Sequence, residues 1–481
     1  MRDQVLDNPL INKDLAPTRD EERTWGLWHI ASLWVGMSVC IPTYMLASSM
    51  ISAGMTWQES LVAIFLGNAI VLLPLILNAH AGTRYGIPFP VFARAAFGTK
   101  GAHIPSMLRS LVACGWFGIQ TWIGGTAINV VMGILWPGWA KLGGSFSFMG
   151  YGLPEYLSFI VFWLINMYFV WAGTESIKWL ETLAAPFLIV VGLALLWWAA
   201  SKVGGIGAIL EKSDELAAQR PPSSGLHFMG ALFIPWLTAM VGFWATLSLN
   251  IPDFTRYARS QKDQALGQAV GLLTTMPLFA FIGVAVTSAT VILYGHAVWN
   301  PVELLQILSQ EERSPMLGLI AMLFLGLATL STNIAANVVA PANSFANLNP
   351  RFIGFRQGGL IAGIIGILIF PWELLEMYQT WLISYSGLLG AVGGVLLCDY
   401  YCIRRTQLDS EALYDPAGAY CYGNGFNSAA LVALVAGIAA ALAGRLHPSL
   451  DFLFNGAWFT ATAVSMLVYW LAMRNSSARA Q

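Results

Sequence analysis

The chain contains a long series of apolar segments, and most of them have about the length needed to cross a membrane. A helical crossing needs about 20 apolar residues to span a hydrocarbon core of about 30 Å. Inside hydrocarbon every backbone polar group must be bonded within the protein, so such segments form helices. The sequence therefore predicts an all-α polytopic membrane protein with twelve transmembrane helices. We place these helices at residues 27–54, 59–80, 101–134, 155–173, 180–200, 228–250, 264–293, 315–345, 358–373, 376–403, 428–446 and 453–474.

Composition and motif content exclude several functional classes. Only 10% of the 481 residues are charged, compared with about 25% in soluble domains. The net charge of -1 provides no basic surface for nucleic acid, so we expect no nucleic-acid partner. The five cysteines show no zinc or haem spacing, and no Walker A, H-E-x-x-H or G-x-S-x-G sequence occurs. We therefore expect no cofactor, no ATP-driven pumping and no enzymatic activity.

The distribution of positive charge predicts the orientation of the chain in the membrane. Seventeen of the 24 Lys and Arg residues fall in loops, tails and span ends on the side of the N-terminus, six fall on the other side, and Arg109 lies within the third span. Because cytoplasmic loops carry the excess of Lys and Arg, both termini are predicted to be cytoplasmic. Residues 1–25 and 475–481 are then cytoplasmic tails of a protein of the cell (inner) membrane, with lipid around it and a monomeric state expected.

The twelve predicted helices divide into two groups of five and a final pair. Residues 26–200 and 228–405 would form the two groups, and residues 428–474 the pair. The first span is interrupted at Gly36–Pro42 and the sixth at Met240–Trp244. Breaks at matching positions in two halves are typical of transporters whose repeats are inverted. The alternative is that Pro42 and Gly242 are ordinary kinks.

Aromatic and amide side chains occur together in the third span. Trp116 and Gln120 are four residues apart and so share one helix face. An indole can stack on a flat ring while a carboxamide donates to it and accepts from it, a combination that suits a neutral heterocycle. Trp244 in the sixth span could cover the other face of such a ring, although a single membrane Trp is more often a packing residue.

The eighth span contains five polar side chains within nine residues: Thr329, Ser331, Thr332, Asn333 and Asn337. Ala328, Ser331 and Thr332 follow i, i+3, i+4 spacing and lie on one face. Two hydroxyls and one carbonyl supply half of an oxygen site for an alkali cation, and carbonyls freed by the break in the first span could complete it. The alternative is that the hydroxyls bond to their own helix.

Several separate sequences, in order, resemble those of the nucleobase–cation symporter family one, in its branch of hydantoin, allantoin and uracil permeases. These sequences are Ala16–Pro17, Arg23–Trp25, Tyr85–Val91 with Arg94, Trp116–Gln120, Asn250–Phe254 and Ser331–Asn337. The resemblance extends over nearly the whole chain. It implies the leucine-transporter-like fold, with a 5+5 inverted repeat and two further C-terminal helices.

The resemblance also implies roles for individual residues. In the family's sodium-coupled hydantoin carriers the substrate lies between two tryptophans and bonds to a glutamine and an asparagine, which match Trp116, Trp244, Gln120 and Asn337. Two pocket positions depart from those carriers: a glycine is replaced by Phe243, and a glutamine on the broken helix is replaced by Cys40. The family's sodium ligands match the backbone of Gly36, Val39 and Ala328 and the hydroxyls of Ser331 and Thr332.

These observations favour a secondary active symporter that imports a neutral planar heterocycle, such as uracil or another nucleobase, a dihydropyrimidine, a hydantoin or allantoin. Coupling to Na⁺ is favoured weakly, because no lysine lies deep in the first or eighth span to replace a bound cation; some relatives use protons, so H⁺ remains open. Alternatives are a channel for small neutral solutes and an amino-acid carrier of the same fold.

Overall fold

The structure, a computed structural model, describes residues 8–172, 174–218, 228–311 and 314–474. The predicted tail at residues 475–481 lies outside the described residues, as does the start of the N-terminal tail. We number the α-helices in chain order and give their bounds here. They are α1 Leu27–Ser38, α2 Ile41–Ser52, α3 Trp57–Tyr85, α4 Phe89–Phe97, α5 His103–Leu135, α6 Leu153–Ala172, α7 Thr174–Val203, α8 Ile206–Ala218, α9 Ile234–Asn250, α10 Pro252–Thr255, α11 Gln261–Tyr294, α12 Pro301–Glu311, α13 Pro315–Asn337, α14 Val339–Leu348, α15 Phe355–Leu368, α16 Pro371–Glu376, α17 Tyr378–Leu397, α18 Ser428–Ala443, α19 Asp451–Asn455 and α20 Ala457–Met473.

The described helices confirm a polytopic α-helical membrane protein. Seven helical stretches in the described ranges are long and apolar enough to cross a membrane, and two bent helix pairs pass the same test. Three shorter apolar helices lie at the predicted fifth, ninth and eleventh spans. Every predicted span therefore overlaps an apolar helix, while the number of twelve crossings stays a prediction.

The break in the first span is confirmed. Helices α1 and α2 meet at an angle of 56°, and the two residues between them, Val39 and Cys40, leave the helical region (ψ of 81° and 159°). The amide of Cys40 bonds to the Ser38 carbonyl at 3.1 Å instead of reaching back to Gly36. Pro42, near the start of α2, has no N–H to leave unpaired, so the sequence favours a new helix at this point.

The predicted break in the sixth span is wrong. Helix α9 runs without interruption through Met240–Trp244, and its irregularity is a π-helical turn at Met229–Phe233, before the helix. Gly242 serves close packing: a Cβ at this position would lie 2.8 Å from the carbonyl oxygen of Leu382 on α17. Small residues let neighbouring membrane helices approach in this way. Glycine in this span thus marks a helix contact.

The core of the molecule brings the third and eighth spans together. Helix α5 packs along α13 and also contacts α6, α14 and α15. Helix α1 packs on α11 and touches α13, while α9 lies between α3 and α17. The break in the first span is buried in this packed centre, with Val39 and Cys40 only 1% and 2% exposed. Its freed polar groups therefore lie inside protein, as backbone at membrane depth requires.

The described part of the predicted N-terminal tail, residues 8–25, is folded onto the rest of the chain. Leu15 is fully buried, and its carbonyl accepts a hydrogen bond from the Tyr414 hydroxyl at 2.8 Å. The Asn8 amide donates to the Tyr414 carbonyl at 2.8 Å, and Arg94 donates to the Leu10 carbonyl at 2.8 Å. Burial lowers the pKa of Arg94 to about 10, so this guanidinium stays charged at neutral pH. We call residues 8–25 the N-terminal strap.

Candidate functional site

A cavity lies at the centre of the helices, beside the break in the first span. Its empty volume is about 360 Å³. All six residues predicted to contact substrate line it, together with the predicted cation ligand Thr332. The complete lining consists of Met37, Cys40, Pro42, Trp116, Gln120, Phe243, Trp244, Thr246, Leu247, Thr332, Ala336 and Asn337. Four separate spans therefore meet at one point, and we call this space the central cavity.

Helix α5 contributes an indole and an amide, as its spacing predicts. Trp116 and Gln120 are 5% and 3% exposed. The Trp116 indole N–H donates to the Tyr385 hydroxyl at 3.1 Å, which orients the ring. The Gln120 side-chain oxygen is buried and has no hydrogen-bond partner among the described residues. A buried, unpaired acceptor costs free energy, so this amide is poised to bond to a ligand in the cavity.

Helix α9 places two aromatic rings in the cavity wall. The Phe243 ring contacts Trp116 edge-on, with centroids 5.2 Å apart and planes at 74°, and contacts Trp244 at 4.9 Å and 85°. The indole N–H of Trp244 points away from the cavity and approaches the Met276 sulfur at 2.8 Å. Phe243 therefore touches both tryptophans and occupies part of the cavity wall between them.

The first span contributes its break to the same cavity. Met37, Cys40 and Pro42 line the space. The Cys40 thiol shares a hydrogen bond with the Thr43 hydroxyl at 3.2 Å. A thiol is a weak donor and acceptor, so Cys40 offers a ligand less hydrogen bonding than an amide would at this position.

The eighth span reaches the cavity with residues that an ideal helix would point in different directions. Thr332 and Asn337 are five residues apart, which is about 140° around a regular helix. Helix α13 ends at Asn337, and Val338, with φ of -106°, separates it from α14. Thr332, Ala336 and Asn337 nevertheless line the same cavity, at the C-terminal end of α13.

In this span the hydroxyls of Ser331 and Thr332 differ from that of Thr329 in their hydrogen bonding. The Thr329 hydroxyl donates to the Leu325 carbonyl of its own helix at 2.8 Å, as threonine hydroxyls in membrane helices commonly do. Ser331 and Thr332 are 3% and 6% exposed, and neither hydroxyl forms a hydrogen bond with another residue in the part of the chain that the structure describes. They lie on the helix that touches α1, and Thr332 lines the central cavity together with Cys40.

Asn333 is an important residue whose role the sequence did not predict. Its amide nitrogen donates to the Phe117 carbonyl at 3.2 Å, the Thr121 hydroxyl at 3.1 Å and the Asn166 oxygen at 3.2 Å. Its oxygen accepts from the Asn337 amide at 3.0 Å. Asn333 thus joins α5, α6 and α13 and orients Asn337 at the cavity. The density of polar residues signalled importance, but the partners come from distant spans.

The chemistry of the lining limits what the cavity can bind. None of its lining residues is charged. An ionised ligand without a paired charge would be costly to bury. No group of three or more His, Cys, Asp and Glu suited to a metal ion occurs within residues 8–172, 174–218, 228–311 and 314–474. The site can stack a flat ring and hydrogen-bond its edge.

A second, wider cavity lies at the end of the molecule where the N-terminal strap lies, and three strap residues, Lys13, Asp14 and Trp25, line it. Helix α9 and the segment after it line the central cavity with Trp244 and Leu247 and the wider cavity with Asp253 and Arg256. The eighth span lines the central cavity with Asn337, and α14 lines the wider cavity with Val339 and Asn343. The wider cavity has an empty volume of about 1790 Å³. We call it the inner cavity.

Comparison with known proteins identifies what this arrangement is similar to. A family model described as permease for cytosine/purines, uracil, thiamine and allantoin matches residues 17–471. A purine-uracil permease of Arabidopsis thaliana is 45% identical over 97% of this chain and 78% of its own length. An allantoin permease of Bacillus subtilis is 38% identical over 98% of this chain and 94% of its own.

The fold matches that of Mhp1, described as a nucleobase-cation-symport-1 family transporter. Its inward-facing structure superimposes with a TM-score of 0.79 at 26% identity, over 98% of this chain and 97% of that one. Its closed structure with bromovinylhydantoin bound gives 0.74 at 27% identity, over 98% of both chains. The predicted fold class is confirmed, while the exact boundaries of the repeats stay predictions.

Proposed function

The chain belongs to the family of permeases for cytosine/purines, uracil, thiamine and allantoin, and from that premise we propose that it is a secondary active symporter for a neutral, planar, nucleobase-like heterocycle. The observation that carries the proposal is the central cavity, where two indoles, a phenyl ring and two amides line one uncharged space. The candidates are uracil and other nucleobases, dihydropyrimidines, hydantoins and allantoin.

The substrate would be held by stacking and by the two amides. Trp116 and Trp244 offer ring faces, each already fixed by a bond from its indole nitrogen. Gln120 has an unpaired oxygen, and the amide nitrogen of Asn337 is bound to Asn333, which leaves its oxygen free to accept from a ring N–H. Rings with adjacent N–H and C=O groups match such amides. Because Phe243 narrows the space, small rings with no bulky substituent are favoured.

The coupling ion is proposed to be Na⁺. Its ligands would be the Ser331 and Thr332 hydroxyls with the carbonyls of Gly36, Val39 and Ala328. Hydroxyl and carbonyl oxygens suit a hard alkali cation. Two features support this proposal: both hydroxyls are free of bonds to their own helix, and the amide of Cys40 does not bond to the Gly36 carbonyl. An ion here would tie α1 to α13.

Transport would depend on this cation-mediated link between α1 and α13. Helices α1 and α13 each end beside the central cavity, so substrate and cation binding both favour the arrangement that holds them together. The inner cavity then provides the release path between α9 and α14. We place the strap, both termini and this path on the cytoplasmic side of the cell (inner) membrane, with the chain acting as a monomer and with neither an enzymatic activity nor a nucleic-acid partner.

Uptake into proteoliposomes tests the proposal. The purified full chain is reconstituted and supplied with labelled uracil, hydantoin or allantoin, with Na⁺ or K⁺ outside. We expect at least one compound to accumulate above its external concentration only with an inward Na⁺ gradient. Equilibration without accumulation would indicate a channel. Accumulation that follows a pH gradient and ignores Na⁺ would contradict the proposed cation.

A control separates the substrate class from the coupling. Neutral amino acids are tested in the same vesicles, because an amino-acid carrier would concentrate them. The central cavity has no Lys or Arg in its lining to pair with a carboxylate, so we expect no uptake of these compounds. Uptake of an amino acid in preference to every heterocycle would refute the assignment.

A further inference from the structure

A third cavity opens at the end of the molecule that the charge distribution predicts to be external. It lies between the end of α2, the start of α9, the segment before α12 and the junction of α16 with α17. Its empty volume is about 770 Å³, larger than that of the central cavity. We call it the outer cavity.

The outer cavity contains the same kinds of groups as the central one. Trp236 and Trp299 offer indoles, and Gln379 offers a carboxamide that bonds to no other described residue. No Lys or Arg lines it, and its single charged side chain is Glu376. Indoles and an amide suit a flat ring with N–H and C=O groups, and the carboxylate disfavours an anionic ligand.

One side chain separates the two cavities. Tyr378 is 5% exposed and lines the outer cavity. Its ring contacts that of Trp116 at 6.0 Å and 89°, and its hydroxyl donates to the Pro42 carbonyl at 3.1 Å. Trp116 and Pro42 both line the central cavity. Tyr378 is therefore a wall shared by both spaces.

The position of Tyr378 in the chain allows this wall to move. It is the first residue of α17 and follows Met377, whose ψ of 33° interrupts the helix between α16 and α17. Rotation at an existing break requires fewer helical hydrogen bonds to be lost than bending a continuous helix. Displacement of this one ring would connect the outer and central cavities.

We propose that the outer cavity is a second binding site for the same neutral planar heterocycle, in which the ring rests between Trp236 and Trp299 before Tyr378 moves aside. This proposal rests on the proposed function, since it takes its ligand from there. The site is weaker than the central one, because it is more open to water and has fewer buried groups. A substrate molecule can occupy it while the central cavity is filled.

Protection of an introduced thiol tests the second site. Thr380, an exposed residue that also lines the outer cavity, is replaced by Cys in the full chain, with and without Gln120→Ala to weaken the central site. Labelling of Thr380→Cys by a maleimide is timed by mass spectrometry, and Gln379 stays in place to bind the ligand. Uracil, hydantoin and allantoin are the probes. A ligand at about three times its dissociation constant fills about three-quarters of the sites and slows labelling about fourfold.

Two further variants serve as controls. Trp136→Cys replaces an exposed indole in the segment after α5, on the same predicted external end of the molecule, and its labelling should not respond to the probes. Trp236→Ala, added to the Thr380→Cys chain, should abolish the protection without preventing labelling.

Protection that persists with Gln120→Ala and disappears with Trp236→Ala supports the second site. Protection that disappears with Gln120→Ala shows instead that filling the central cavity covers position 380, and it overturns the proposal. Uptake of a probe without any protection by it also overturns the proposal and leaves the proposed function standing. Absence of both binding and uptake for every heterocycle overturns both.

Discussion

Replacing Gln120 is the sharpest test of how the central cavity recognises its ligand. A neutral hydrogen bond contributes about 0.5–1.5 kcal/mol net, so an amide that makes two such bonds contributes about 1–3 kcal/mol. The net value is usually small because forming the bond requires stripping water from both partners. The Gln120 oxygen is already buried and unpaired in the free protein. Its desolvation cost is therefore present before the ligand binds.

For this reason we expect the binding free energy lost in Gln120→Ala to fall in the upper part of that range, at about 2–3 kcal/mol. Such a loss raises the dissociation constant about 30- to 150-fold. The same substitution removes an unpaired buried acceptor, so thermal stability should stay unchanged or rise. Binding is measured by equilibrium dialysis with the labelled heterocycle found by the uptake screen, and stability is measured by thermal unfolding of the same sample.

Gln268→Ala is the matched control. Gln268 is also a buried glutamine with an unpaired side-chain oxygen, but it lies on α11 and does not line the central cavity. Its replacement should leave the dissociation constant unchanged. An affinity for Gln120→Ala within about twofold of the unaltered chain, or equal losses in both variants, would refute the reasoning.

Three further predictions concern the other groups at the site. Thr332→Ala should raise the Na⁺ concentration needed for half-maximal uptake about tenfold or more, because one ligand oxygen is lost. Thr329→Ala should not raise it, because the Thr329 hydroxyl bonds to its own helix. Identical Na⁺ titrations of the two variants would contradict a cation site on this helix. Asn333→Ala should lower the free energy of unfolding by about 2–3 kcal/mol, because it leaves several buried groups unpaired; an unchanged melting temperature would contradict its bridging role. Phe243→Ala should weaken uracil binding about fivefold, by loss of ring contacts contributing about 1 kcal/mol, and should admit 5-substituted hydantoins, which competition binding measures; continued exclusion of those compounds would show that another residue limits ring size.

Local sequence was sufficient to predict features that depend on the backbone of one segment. The break in the first span follows from Gly36 and Pro42 flanking a short stretch, because both residues disfavour a continuous helix there. The shared face of Trp116 and Gln120 follows from helical spacing alone. The prediction of a helix break at Gly242 was wrong. A glycine can interrupt a helix in one context and allow close packing of a neighbouring helix in another. Only the position of α17 distinguishes the two.

Features that depend on distant contacts could not be predicted in this way. Asn333 is one of several polar residues in the eighth span, and nothing in its neighbours indicates that α5 and α6 supply its partners. The contribution of Asn337 to the central cavity could not be predicted from ideal helical angles, which point Asn337 and Thr332 about 140° apart, although both residues line that cavity. The folding of residues 8–25 onto the loops was likewise invisible, since the segment reads as polar and charged.

The N-terminal strap has a consequence for folding of the chain during its synthesis. Asn8 and Tyr414 bond to one another although they are 406 positions apart. At a synthesis rate of about 5–20 residues per second, the strap leaves the ribosome about 20–80 s before its partner is made. During that time Leu10 can already bond to Arg94, but Asn8 and Leu15 lack their partner Tyr414. Complete docking of the strap therefore requires a chain synthesised beyond residue 414, and a chain truncated before that point would leave Asn8 and Leu15 without these bonds.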